Sequence, residues 1–486
     1  MKKNILFFMK AKRMFSIIFL FIFLSMTLYG GDKLPRIVIA EDGRSFRTED
    51  GKPFVPFGVN YFRPGTGWAP QIWKTFDEAA FGKDFALMRE TGVNCVRMFL
   101  TYGSFMTEKG KIDPEGLAKF DKLLEIADEL GIYIHPTGPD HWEGPGALGD
   151  RANIRERYTN DEILEMTILF WKEFAMRYKG RNVIFAYDLL NEPEIPWEAE
   201  SIKPKWNEWL KNRYQSAENF AKQKNIPLNT INWGNEDAPT DLANQGLILD
   251  YQHFREELAE YWTKTQVEAI KSVDPNALVT VGLIQWSVPV SLPVPIRHYA
   301  AFKPSRQAPY LDFMEIHFYP FAEGFYEYEK KGDTEKNLAY LESVVREVAM
   351  TGKPVVIAEF GWYGGGKLEN SNQDKPVASE EQQAQWNSAL VEKTKGLAVG
   401  WLNWGFFDIP EAGDISELLG LFTVERKPKA WGVAFKSLSE QLSGQLILPK
   451  SLGARPEMDW DLLISDPQAA PKFQKEYFKA FLEAIH

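Results

Sequence analysis

Two glutamates, each at the end of a run typical of a buried strand, carry the strongest chemical signal in this sequence. Glu192 follows the apolar run Val183–Leu190 and precedes Pro193, which cannot donate to a sheet ladder and therefore ends the strand. Glu359 ends the apolar run Val355–Glu359. Two carboxyl groups at one site, one protonated and one ionised, can cleave a glycosidic bond. Either glutamate alone would be explained as a solvated loop acid, so the hypothesis requires both on one rim.

The elements that would position these glutamates form a regular alternation of strands and helices. Apolar residues at helical spacing predict helices over Phe76–Glu90, Leu117–Leu130, Ile163–Tyr178, Tyr251–Val273, Leu338–Met350, Glu380–Thr394 and Ala430–Leu442, and weakly over Val294–Ala301. The eight strand candidates are Phe54–Val59, Val93–Phe99, Ile132–Pro136, Val183–Leu190, Leu278–Leu283, Phe313–His317, Val355–Glu359 and Ala398–Trp404. This alternation predicts an α/β fold, the (β/α)8 TIM barrel, with its active site at the carboxyl ends of the strands.

Three further segments extend the predicted barrel. Two Asp-Gly turn signals predict an N-terminal hairpin over Arg36–Phe54. The largest insertion, Glu194–Asp250, follows the fourth strand and is predicted to lie over the mouth of the site. The tail Ser443–His486 is predicted to pack on the barrel and to end in a helix. Because no linker rich in Gly, Ser or Pro divides the chain, residues 31–486 are predicted to form a single domain.

Polar and aromatic residues are concentrated at the predicted carboxyl ends of the strands. Besides the two glutamates, the predicted substrate-binding residues are Asn60, Arg97, His141, Trp142, Asn191, His317, Tyr319 and Trp404. His317 and Tyr319 would orient the glutamates. Trp404 could form the platform beneath the reacting sugar, because an indole face suits a sugar ring.

The neighbours of the two glutamates predict different protonation states for them. Arg97 next to Glu359 would hold that carboxylate ionised by attraction and hydrogen bonding. Glu192, away from the arginine and beside a carboxylate, would keep its proton more readily. Asn191 could hydrogen-bond a sugar 2-hydroxyl, a contact that strengthens in the transition state. This division of roles suits glycoside hydrolysis with retention.

These residues resemble the signature of glycoside hydrolase family five. Asn191-Glu192-Pro193 follows the fourth strand, and Ala358-Glu359-Phe360-Gly361 lies at the end of the seventh. The likeness covers the whole barrel, through Gly58-Val59-Asn60, Arg97, His317-Phe318-Tyr319 and Trp404. That family belongs to a clan of retaining (β/α)8 glycosidases with catalytic glutamates on strands four and seven. The resemblance therefore implies Glu192 as the acid/base and Glu359 as the nucleophile of an O-glycosyl hydrolase.

Two finer resemblances disagree about the substrate. Pro139-Asp140-His141-Trp142 stands where the family's β-mannanases carry a run such as Asn-Asn-Trp, and Glu359-Phe360-Gly361-Trp362 is also mannanase-like. The insertion, with Trp206-x-x-Trp209-Leu210, instead resembles the exo-acting β-galactosidases of family forty-two. We expect a β-linked polysaccharide or its oligosaccharides as substrate, β-mannan or β-glucan first. The alternatives are an exo-acting β-galactosidase or β-mannosidase type, a transglycosidase, and a non-catalytic carbohydrate-binding barrel.

The first 30 residues have the pattern of an export signal. Five cations without an acid precede the apolar run Met14–Tyr29, which is followed by the small residues Gly30 and Gly31. The run is short for a membrane span, so we expect cleavage and a periplasmic or extracellular chain without stable membrane insertion. An uncleaved membrane anchor is the alternative.

Charge and composition argue against several other classes of function. The formal net charge of −11 becomes −16 when the five N-terminal cations are removed, which argues against nucleic acid as a partner. A single cysteine, Cys95, permits no intrachain disulfide. The six histidines form no metal-spaced pair, and no glycine loop has the spacing that cradles phosphate. We therefore predict no metal or other cofactor, and a β-linked oligo- or polysaccharide as the partner.

Overall fold

A closed barrel of eight parallel strands forms the centre of the computed structural model. The structure describes residues 33–66, 69–108, 111–140, 155–290, 295–320, 332–371 and 375–484. In chain order the barrel strands, numbered one to eight below, are Phe57–Asn60, Cys95–Thr101, Tyr133–Asp140, Tyr187–Asn191, Val279–Leu283, Met314–Phe318, Val355–Phe360 and Gly400–Trp404. The prediction of a TIM barrel is confirmed, because each strand pairs in parallel with its chain neighbours and the eighth closes on the first.

Helices between the strands cover the outside of the barrel. Their starts are capped as the sequence directs: Asp113 accepts from the N–H of Glu115, and Ser379 forms a capping box with Gln382. The helices are Glu78–Glu90, Tyr102–Phe105, Pro114–Leu130, Asp161–Tyr178, Ile202–Tyr214, Ala217–Lys224, Gln245–Val273, Pro295–His298, Pro304–Gln307, Asp333–Ala349, Glu380–Thr394, Ala430–Leu442, Trp460–Leu463 and Ala469–Glu483. None of those in the described ranges is long and apolar enough to span a membrane.

Two predicted elements differ from the observed ones. The N-terminal segment forms three strands, Ile37–Ile39, Phe46–Thr48 and Pro53–Phe54, because each of its two turns reverses the chain. The weak helix predicted over Val294–Ala301 is present but shorter, at Pro295–His298, and a second short helix, Pro304–Gln307, follows it. Neither change alters the order of the barrel strands.

The N-terminal sheet covers the amino-terminal end of the barrel. The ring of Phe46 packs edge-on against Phe185 and Phe313, with ring centroids 5.3 and 5.2 Å apart. Phe185 and Phe313 lie just before the fourth and sixth strands, so these aromatic contacts fill the bottom of the barrel. An active site is therefore expected at the opposite end of the barrel, at the carboxyl ends of the strands.

The insertion and the tail both pack through aromatic side chains. Trp206, in the insertion helix Ile202–Tyr214, is buried with its ring 5.0 Å from that of Tyr251 and 5.2 Å from that of Phe254. In the tail, Tyr477 donates from its hydroxyl to Oε1 of Glu342 over 3.1 Å. Trp206 is therefore a packing residue.

The predicted export signal, residues 1–30, lies outside the described residues.

Candidate active site

The fourth strand delivers Asn191 and Glu192 to the rim in a strained turn. The strand ends at Asn191, and the next residue, Glu192, has a φ of 44°, in the left-handed region that non-glycine residues rarely adopt. The N–H of Glu192 donates to the carbonyl of Gly282 over 2.8 Å, which ties this turn to the fifth strand. Backbone strain of this kind persists where the surrounding structure enforces it, and it is concentrated at functional sites.

Arg97, on the second strand, connects the fourth strand to Glu359 on the seventh. The guanidinium is fully buried, and each of its five N–H groups has an acceptor. Nη1 donates to Oε1 of Glu359 over 2.7 Å and to Oδ1 of Asn60 over 2.9 Å. Nη2 donates to Oδ1 of Asn191 over 2.9 Å. The arginine therefore fixes the positions of a carboxylate and two amides predicted to form the site.

His317, in the sixth strand, and Tyr319, just after it, lie between the two glutamates. Nδ1 of His317 is 3.1 Å from Oε1 of Glu192 and 3.6 Å from Oε2 of Glu359. The hydroxyl of Tyr319 donates to the same Oε2 of Glu359 over 3.0 Å. One oxygen of Glu192, one of Glu359 and a ring nitrogen of His317 all lie within 4.8 Å of one another. The two carboxyl groups thus face a common space.

Burial affects the protonation of all three central groups. It raises the pKa of Glu192 to about 7, with attraction to Arg97 opposing the rise and the charge of Asp140 adding to it. Burial also raises the pKa of Glu359, so the attraction to Arg97 only partly offsets desolvation instead of dominating, as the sequence had suggested. Burial lowers the pKa of His317 to about 4. At neutral pH the ring is therefore a hydrogen-bonding group without charge.

These shifts predict a bell-shaped pH profile. Glu192 must be protonated to act as an acid, so kcat/KM falls as the pH rises through about 7. Glu359 must be ionised to attack, so kcat/KM also falls as the pH drops through its raised pKa. We expect kcat/KM for a substrate with a poor leaving group to be maximal between these two values. An alkaline limb centred above pH 9 would contradict the assignment of Glu192 as the acid.

Trp404, at the end of the eighth strand, is almost enclosed. Its side chain is 7% exposed, and its Nε1–H donates to Oγ of Ser416 over 3.0 Å. The ring packs against Phe62 and Phe99, with centroids 5.2 and 5.8 Å away. The loop after the third strand carries two other predicted site residues, His141 and Trp142, which lie outside the described residues.

Three ionisable residues beneath the site, Asp188, His135 and Glu315, had no place in the prediction. Asp188 accepts from both Nε and Nη2 of Arg97, and His135 lies 2.5 Å from Glu315 through its Nε2. All three are fully buried inside the barrel. When His135 is protonated, charges alternate in sign from Glu359 through Arg97, Asp188 and His135 to Glu315. A signal was present, since each is an ionisable residue within an otherwise apolar strand run, a placement that requires a partner.

Two groups of side chains offer atoms close enough together to hold a metal ion. Within each group the candidate ligand atoms lie within 4.8 Å of one another; the groups are Glu192, His317 and Glu359, and His135, Asp188 and Glu315. Arg97 bonds to one carboxylate of each group and supplies the positive charge that a metal would bring. Both ring nitrogens of His135 have partners, Ala186 and Glu315. The donor set therefore fits a hydrogen-bonded network around a guanidinium better than a metal centre.

Comparison of the sequence with known proteins finds similarity to glycosidases. Residues 48–407 match the family model described as Cellulase (glycosyl hydrolase family 5). Among curated proteins, β-galactosidase LacZ of Lactobacillus acidophilus is 27% identical over 259 residues, which are 46% of this chain and 37% of that protein. The chain therefore spans less than half of that relative's length.

Solved structures share the fold at low sequence identity. The exo-β-1,4-mannosidase Op5Man5 from Opitutaceae bacterium strain TAV5 superposes with a TM-score of 0.57 at 18% identity, over 84% of this chain and 62% of that one. A β-galactosidase from the haloarchaeon Halorubrum lacusprofundi gives a TM-score of 0.64 at 16% identity, over 87% of this chain and 63% of that one. At these identities the likeness concerns the fold alone.

Proposed function

The chain belongs to glycosyl hydrolase family 5, the cellulase family, and from this premise we propose that it hydrolyses β-linked polysaccharides or their oligosaccharides with retention of configuration. The observation that carries the proposal is the approach of Glu192 and Glu359, which have oxygens within 4.8 Å of each other. Carboxyl groups of retaining glycosidases stand about 5–5.5 Å apart, whereas those of inverting enzymes are separated by about 6.5–9.5 Å to admit a water.

The proposed reaction is a double displacement. The ionised Glu359 attacks the anomeric carbon while Glu192 gives its proton to the departing glycosidic oxygen, so a glycosyl ester forms and the aglycone leaves neutral. Glu192, now a carboxylate, then takes a proton from water, and the resulting hydroxide equivalent displaces Glu359 from the same carbon. Two inversions restore the β configuration.

The surrounding residues have proposed roles that follow from their contacts. Arg97 and Tyr319 hold the two oxygens of Glu359, one each, so the carboxylate presents a defined edge to the sugar. Asn191, fixed by Arg97, would bind the 2-hydroxyl, and Trp404 would lie beneath the ring. Asn60 supports the arginine through its amide oxygen.

For the sugar, we propose a class, the β-linked hexoses, with an order of preference within it. A β-linked mannose or glucose comes first, because the family model is named for cellulase and a structural neighbour is an exo-β-1,4-mannosidase. Galactose is the alternative, since a relative at 27% identity is a β-galactosidase. All three are β-linked hexopyranosides, so the same two glutamates would serve each.

The configuration of the first product tests the proposal. The protein is incubated with aryl β-glucoside, β-mannoside and β-galactoside, and the anomeric proton of the released sugar is followed by NMR before mutarotation. We expect the β-anomer to appear first with at least one of them. An initial α-anomer would overturn retention. Ligand affinity without turnover of any glycoside would favour the non-catalytic barrel, and transfer to added sugar in preference to water would favour the transglycosidase.

A further inference from the structure

The position of Glu192 gives the bound sugar chain a direction across the barrel mouth. The acid must contact the leaving-group oxygen, so the aglycone lies on the side of the fourth strand. In the closed strand order the eighth strand stands opposite the fourth, flanked by the seventh and the first. Sugars beyond the reacting ring on the non-reducing side would therefore extend toward the loops that follow strands seven, eight and one.

Those loops are tied to one another. The N–H of Gly65, after the first strand, donates to Oε1 of Glu411, after the eighth, over 2.5 Å. Asn370, after the seventh strand, donates from Nδ2 to the carbonyl of Pro410 over 2.7 Å. The backbone N–H groups of Glu369 and Asn370 donate to the carboxylate of Glu417, over 2.6 and 2.5 Å respectively. Side chains of the eighth-strand loop thus bridge both neighbouring loops.

The same loop folds back over the predicted sugar platform. Ile409 and Ala412 are buried in a small apolar cluster with Trp404, Phe62 and Leu419. Ser416 holds the indole N–H of Trp404, which leaves the ring 7% exposed. Within the described residues of these three loops, Trp404 therefore offers the reacting sugar a single, nearly enclosed indole face.

Charged groups stand at this side of the site. Lys375 is buried, and burial lowers its pKa while the charge of Asp414 opposes that change. Asp414 accepts from the N–H of Ser416 over 2.7 Å, and the hydroxyl of the same serine accepts from the indole N–H of Trp404, so the carboxylate of Asp414 lies beside the predicted platform. An ammonium and a carboxylate here could bind the hydroxyls of a terminal sugar, one of which an internal sugar has lost to a glycosidic bond.

We propose that the loops after strands seven, eight and one form a wall behind a single sugar, and that the enzyme releases monosaccharides from the non-reducing end of β-linked oligosaccharides. The wall is defined by Gly65, Ile409–Glu417 and Glu369–Asn370. This inference rests on the proposed retaining glycosidase function, because the direction of the chain follows from Glu192 acting as the acid. It selects the exo mode of cleavage and leaves the identity of the sugar open.

Reducing-end-labelled pentasaccharides of β-1,4-linked glucose, mannose and galactose test the wall. At early times we expect free monosaccharide and labelled tetrasaccharide. A bulky 4,6-O-benzylidene acetal on the non-reducing terminal sugar should lower the rate by about 100-fold or more, since the acetal would have to occupy the volume of the wall. Labelled di- or trisaccharide as the first product, formed equally fast from the blocked substrate, would overturn the exo assignment.

Two alanine variants distinguish the effect of the wall on cleavage of the blocked substrate from a general effect of mutation on activity. Glu411→Ala removes the tie to Gly65 and should raise the ratio of blocked to unblocked rates, whereas Glu425→Ala, at an exposed acid whose carboxylate accepts from Thr423, should leave it unchanged. An unchanged ratio in Glu411→Ala would contradict the wall. If the folded protein turns over no glycoside at all, the proposed function fails; if it cleaves internal bonds, the exo inference alone fails.

Discussion

Replacing Glu359 by alanine is expected to lower kcat by about 10⁵-fold or more, the scale seen when a covalent nucleophile is removed. We expect this loss of kcat because no other described carboxylate accepts from both Arg97 and Tyr319 and could replace Glu359 as the nucleophile. The measurement is turnover of an aryl β-glycoside, with a thermal melt to verify folding. Glu392→Ala, which changes an exposed acid on the helix Glu380–Thr394, is the control and should retain full activity.

Addition of azide to the Glu359→Ala variant tests whether Glu359 acts as the nucleophile. The alanine leaves a space beside the anomeric carbon, and a small anion entering it would displace an activated leaving group with one inversion. We therefore expect azide to restore turnover of a dinitrophenyl β-glycoside and to give the α-glycosyl azide. Wild-type activity in the Glu359→Ala variant would exclude Glu359 as the nucleophile. A β-glycosyl azide would contradict the position assigned to Glu359 relative to the sugar.

Replacing Glu192 by alanine is expected to have an effect that depends on the leaving group. For an unactivated oligosaccharide the loss should be about 10² to 10⁴-fold, the usual contribution of a positioned general acid. A dinitrophenolate leaves without protonation, so formation of the glycosyl–enzyme should stay fast while its hydrolysis, which needs the base, becomes slow. We expect a burst of dinitrophenol equal to the enzyme concentration, followed by slow turnover.

Two further results would identify Glu192 as the acid/base. Azide should attack the glycosyl–enzyme from the face that Glu192 vacates and give the β-glycosyl azide, the opposite anomer to that expected from Glu359→Ala. The alkaline limb near pH 7 should disappear, because the group whose pKa produces it is gone. Equal losses for good and poor leaving groups, with the limb retained, would assign the acid to another residue.

The sequence by itself determined the fold and the meeting of Glu192 and Glu359 at one rim. Both follow from local patterns, because an apolar run buried on both faces marks a parallel strand and eight such runs alternating with amphipathic helices close into a barrel. The barrel then places every strand end on one rim, so Glu192 and Glu359 are brought together although 167 positions separate them. Each observed strand overlaps its predicted run, with its ends shifted by tertiary pairing; the fourth begins at Tyr187 instead of Val183.

Only the tertiary structure decided how the rim is connected. The five bonds of Arg97 join residues from the first, fourth and seventh strands, and the pairing of His135 with Glu315 crosses the barrel. The local sequence shows that these buried ionisable residues need partners, but it does not identify the partners. The balance that raises the pKa of Glu359 depends on desolvation, which sequence spacing does not report. The wall is likewise a matter of long-range contact: Glu411 stands 346 residues from Gly65, and closure of the barrel alone brings their loops together.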